Sequence, residues 1–126
     1  MKSVFIASLI ALSATAAQAA TLDVHCTSGD AVVTAELNID GKAITGNINA
    51  DGSGIEDFKA TATGNYIFYP AGSYYKFDDL EVIEFWGVSG KDSVGYKSVK
   101  GEQGAFTQTL VINKQAVQGT CVITKN

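Results

Sequence analysis

From Val32 to Ala50 the chain alternates apolar and polar residues with a period of two, broken once at Asp40-Gly41. Val33, Ala35, Leu37 and Ile39 alternate with Thr34, Glu36 and Asn38, and then Ile44, Gly46, Ile48 and Ala50 alternate with Thr45, Asn47 and Asn49. Period two places successive side chains on opposite faces of a strand. Asp-Gly between two such runs is a strong hairpin signal, because a type I′ turn needs positive φ at both central residues. With Asp40 and Gly41 as the turn, the register predicts Leu37 opposite Ile44, Ala35 opposite Gly46 and Val33 opposite Ile48. A slip of one residue would mix the apolar and polar faces.

The rest of the chain repeats this device. Leu22, Val24 and Cys26 alternate with Asp23 and His25, and Ser28-Gly29-Asp30 turns that strand into the hairpin. Turns are also expected at Asp51–Gly54, Gly64-Asn65, Tyr69–Gly72, Asp78-Asp79, Ser89–Asp92 and Asn113–Ala116. A two-residue turn at Asp78-Asp79 would set Lys76 opposite Glu81. Leu80–Val88 is apolar on both faces apart from Glu81 and Glu84, the pattern of a strand covered on both sides. No segment after residue 20 carries the three-to-four-residue period of an amphipathic helix. The expectation is an all-β, antiparallel up-and-down meander of about nine or ten short strands, closed as a β-barrel, with a two-layer β-sandwich as the alternative.

The ends of the chain bear on compartment. Lys2, the apolar run Val4–Leu12 and Ala17-Gln18-Ala19 form a secretory signal-peptide pattern over residues 1–20, leaving 21–126 as a single all-β domain. The expected location is periplasmic or extracellular, in a bacterial setting. Cys26 and Cys121 then predict one disulfide between the first and last strands. Thirteen acidic residues stand against nine lysines and no arginine, a formal net charge of −4. That balance argues against nucleic acid, which requires clustered basic side chains. Several strands are too short, and the polar faces too hydrophilic, for insertion in a membrane as a barrel. No cofactor or metal site is expected. Asn47–Gly52 has the oxygen spacing of a calcium loop, but Phe58 stands where the bidentate Glu belongs. His25 is the only imidazole.

The aromatic residues cluster between Tyr66 and Tyr96. Trp86, mid-strand in the most apolar segment, is expected in the core. Tyr74 and Tyr75 are consecutive and point to opposite faces, so at least one is expected at the surface as a partner contact. Glu84 interrupts an otherwise apolar face and is the third candidate partner-binding residue. Ala71-Gly72-Ser73-Tyr74-Tyr75, Phe85-Trp86 and Gly90-Lys91 resemble fragments of the pattern in small periplasmic inhibitors of c-type lysozyme, which are antiparallel barrels with a cysteine pair. Ala71 stands where that family carries Ser, and its Lys-Gly pair is reversed here. The expected function is a non-catalytic binding module using the aromatic-rich strand and turn region. Its partner is a protein or a small molecule. Inhibition of an exported enzyme and a barrel enzyme using carboxylates are the alternatives.

Overall fold

The computed structural model describes residues 20–72 and 78–126. The signal-peptide pattern of residues 1–19, the Tyr74-Tyr75 pair and the Lys76–Glu81 pairing lie outside the described residues. Nine strands follow in order: β1 Ala20–Ser28, β2 Ala31–Asp40, β3 Ala43–Gly52, β4 Ile55–Tyr69, β5 Leu80–Ser89, β6 Asp92–Lys100, β7 Phe106–Ile112, β8 Gln115–Val117 and β9 Thr120–Lys125. They form one antiparallel sheet in the order β8-β7-β6-β5-β4-β3-β2-β1-β9. Sequence neighbours pair throughout, as a meander requires, until β9 returns to β1. Only Gln118 and Gly119 separate β8 from β9, so two residues link the two edges of the sheet. The sheet therefore curls into a half-barrel rather than splitting into two layers. The Cys26–Cys121 disulfide, with an S–S distance of 2.05 Å, joins β1 to β9 where these residues face each other in register.

Two local expectations are corrected. The β2–β3 turn is Gly41-Lys42, not Asp40-Gly41, and Asp40 pairs with Ala43. Gly41 has φ 65° and is the only one of the two central residues at positive φ. A type II′ turn needs positive φ at its first central residue alone, which glycine supplies without steric cost. The type I′ alternative would force Asp40 into the left-handed region as well. The register moves by two, to Ile39↔Ile44, Leu37↔Gly46, Ala35↔Ile48 and Val33↔Ala50. An even shift preserves the faces, so the inward and outward sets stand as read.

Gly64-Asn65 is not a turn. β4 runs through it for 15 residues, pairing with β3 over Ile55–Asn65 and with β5 over Thr63–Tyr69. Gly64 is required there by close approach, since a Cβ would lie 2.0 Å from the Glu84 carbonyl oxygen and 2.7 Å from the Phe85 Cα. A residue without a side chain lets β5 lie directly against the backbone of β4.

The inward face fills the half-barrel. Leu22, Val24, Val33, Leu37, Ile44 and Ile48 come from β1–β3, and Phe58, Ile83, Phe85, Val94 and Leu110 from β4–β7, all buried in one cluster. Phe85 and Tyr96 stack across strands with ring centroids 5.3 Å apart. The end carrying the turns 29–30, 53–54, 90–91 and 113–114 is stitched shut. The Ser53 amide and hydroxyl donate to the Asp30 carboxylate at 3.1 and 2.6 Å, which holds that carboxyl below its ordinary pKa. The Asn113 side-chain amide donates to the Gly54 carbonyl at 3.0 Å and to Asp92 at 3.1 Å, while its oxygen accepts the Ser93 amide at 2.9 Å.

Candidate functional site

The opposite end carries the two long connections, 70–79 between β4 and β5 and 101–105 between β6 and β7. Cross-strand register places the inward side chains here in rows. The row nearest this end reads Phe68, Glu81, Lys100, Phe106 across β4 to β7. The next reads Tyr66, Ile83, Ser98, Gln108, and the third Gly64, Phe85, Tyr96, Leu110. The inner face thus passes from apolar in the middle to polar, charged and aromatic at the open end.

Glu81 is the centre of this end. The Tyr66 hydroxyl donates to its Oε2 at 2.7 Å, and the Lys125 ammonium, reaching over from β9, pairs with the same carboxylate. Burial works to raise the Glu81 pKa, but the bonds from Lys125 and Tyr66 and the positive charge of Lys100 outweigh it, and the carboxyl is held below its ordinary value. Burial, reinforced by the Glu81 carboxylate, pushes the Tyr66 phenol well above its ordinary pKa. Tyr96 donates to Gln108 at 2.7 Å, and burial raises its pKa against a bond from Ser98. Above this layer lies a cleft of about 280 Å³ lined by Phe68, Asp78, Glu81, Lys100 and Lys125, among others. Phe68, in its lining, is 45% exposed, and Phe106, the cross-strand neighbour of Lys100, is 53% exposed. Asp78 accepts the Gln103 amide, and Asp79 accepts the Ala71 amide at 2.8 Å, so both carboxylates anchor the connections.

The two glutamates of β5 face opposite ways. Glu84 is on the outer face, where the Asn65 side chain donates to it at 3.2 Å, and Glu81 faces in. The parity of β5 decides this. Glu81, Ile83, Phe85 and Gly87 alternate inward, while Leu80, Val82, Glu84, Trp86 and Val88 alternate outward. Trp86 is accordingly 44% exposed and not in the core; Phe85 is its buried neighbour. Phe85-Trp86 is equally apolar at both positions, and only the register with β4 and β6 assigns the faces. The signal that could have found Glu81 is its odd-numbered alternation with Ile83 and Phe85.

The described parts of the fragments that resemble lysozyme inhibitors stand apart. Ala71-Gly72 is at the open end, and Gly90-Lys91 is a tight turn at the stitched end, the full length of β5 away. Among the described residues, no group of three or more His, Cys, Asp or Glu could hold a metal ion, and no helix is long and apolar enough to cross a membrane. Compared with known proteins, the chain matches no family model, and neither the curated proteins nor the solved structures contain a match to it.

Proposed function

We propose that the chain is a non-catalytic binding module of an exported protein, and that the open end of the half-barrel meets a macromolecular partner. The observation that carries this reading is the row Phe68–Glu81–Lys100–Phe106, two exposed aromatics flanking an acid and a base at the end with the long connections. Exposed aromatics beside positioned charges are the composition of recognition surfaces, and long connections on a rigid scaffold are where recognition residues concentrate. The interior beneath is filled by side chains, which favours a partner that meets the surface over a small molecule carried inside. Tyr74 and Tyr75 belong in sequence to the 70–79 connection, whose described end at Asp78 lines the cleft. The disulfide supports export, because such bonds persist in oxidising compartments.

Inhibition of an exported enzyme is the form of this reading that a filled interior favours. The test offers immobilised protein, lacking residues 1–20, to an exported-protein fraction and, separately, titrates it against a c-type lysozyme. Wild type should retain a partner or lower lytic activity, and Phe68→Ser combined with Lys100→Glu should lose that effect at least tenfold while staying folded. Equal retention by wild type and the double variant would overturn the assignment to the open end.

A further inference from the structure

The outer face of β5–β6 is left apolar and uncovered. Val82 is half-buried, Trp86 is 44% exposed and Val88 is 66% exposed. Trp86 stands beside a shallow groove of about 340 Å³, floored by Gly95 and walled on the far side by Val111. A Cβ at Gly95 would lie 3.9 Å from the Val111 Cβ and 4.0 Å from the Trp86 Cβ, so the floor has room. Next to this row, Glu84 and Lys97 are direct cross-strand partners. The Lys125–Glu81 contact is the only ion pair found among the described residues, so Glu84 and Lys97 do not close one on each other.

These features are complementary to themselves. The register across β5 and β6 pairs Val82 with Val99, Glu84 with Lys97, Trp86 with Gly95 and Val88 with Ser93. A two-fold axis in the plane of a face-to-face contact, running along the strands midway between β5 and β6, exchanges the two strands without changing height. Under that one operation every β5 residue meets its own cross-strand partner in the other copy. Trp86 then enters the groove over Gly95, Glu84 meets Lys97, and Val82 meets Val99, each of them twice. An isologous interface requires this kind of self-complementary patch, and aromatic anchors seated in pockets carry most of the affinity of such contacts. The geometry points to a second copy of this chain as the occupant, packed through the outer faces of β5 and β6. The open end faces elsewhere and stays free in the pair. The two-sided apolar pattern of Leu80–Val88 is accounted for by this contact: one side faces the core and the other the second copy.

The test is sedimentation of the protein from micromolar to millimolar concentration, with fluorescence of Trp86, the only tryptophan. Wild type should shift toward twice the monomer mass, and Trp86 should become blue-shifted and shielded from quencher along the same curve. Glu84→Lys and Lys97→Glu should each weaken association at least tenfold when alone. A one-to-one mixture of the two variants should associate at lower concentration than either alone. That rescue cannot arise from a contact within one chain, and neither variant touches the buried core. A monomer at every concentration, a dimer in which Trp86 stays freely quenched, or a mixture no better than its components would each overturn the proposal. Shielding of Trp86 only by an added glycan or peptide would overturn it in favour of that other occupant.

Discussion

Glu81 and Trp86 show how much one position of parity decides. Glu81, on the inward parity of β5, is bonded to Tyr66 and Lys125, while Trp86, on the outward parity, faces solvent. Trp86→Ala is therefore expected to change stability by no more than about 1 kcal/mol, the scale of surface substitutions. Phe85→Ala should cost roughly 3–5 kcal/mol, since it empties the packed interior. Urea midpoints of the two variants measure the difference. The Glu81 cluster should also be legible in pH. A carboxyl whose pKa is lowered on folding contributes stability above its unfolded value, near 4.5, and loses it as pH falls through the lower folded value. Stability of the wild type should decline through that acid range more steeply than that of Glu81→Gln. Tyr66 works in the opposite sense. Its raised pKa contributes stability that is intact below 10 and lost as pH rises above it. Tyr66→Phe should flatten the alkaline arm, and thermal melts across pH follow both.

At the scale of elements, β4 does the most to shape the sheet. Its first part belongs to the β1–β4 side and its last part to the β4–β7 side, and Gly64 sits in the overlap, paired to Ile44 and Phe85 at once. Gly64→Ala must displace the β5 backbone, because its nearest contacts are main-chain atoms. A loss of roughly 1–3 kcal/mol or more is expected from such overpacking. At Gly41 a Cβ would meet nothing within 4 Å, so alanine there should cost only the left-handed backbone strain, about 1–2 kcal/mol. The two variants, melted side by side, separate close approach from turn geometry. A glycine inside an alternating run reads equally as a turn or as a close approach. Nothing local to Gly64-Asn65 distinguishes the two, because the distinguishing atoms belong to Glu84 and Phe85, twenty residues on.

For the whole molecule, closure rests on β9. Among the described strands it pairs only with β1, and the disulfide spans a sequence separation of 95 residues at that seam. On the chain-entropy model a bridge over so long a loop contributes roughly 4–5 kcal/mol, and removing a native bridge from a small exported domain costs about 2–5. Cys121→Ser should lower the urea midpoint by a corresponding amount, and an unchanged midpoint would show that the seam holds without the bridge. Intact mass of exported protein checks the compartment: a chain beginning at Ala20 or Thr21, lighter by two hydrogens than its reduced form, is expected.

The sequence by itself determined the all-β class, the inward and outward sets of the first three strands, and the pairing of two cysteines at the ends of the domain. Each follows from short-range physics, either a period of two or a count of two. Which face of β5 turns inward, where β4 passes from pairing with β3 to pairing with β5, and that Phe68, Glu81, Lys100 and Phe106 stand in one row were decided only by the tertiary structure. Those depend on register among β4, β5, β6 and β7, strands that lie far apart in sequence. A strand that is apolar on both faces carries no local signal of which face the core will claim.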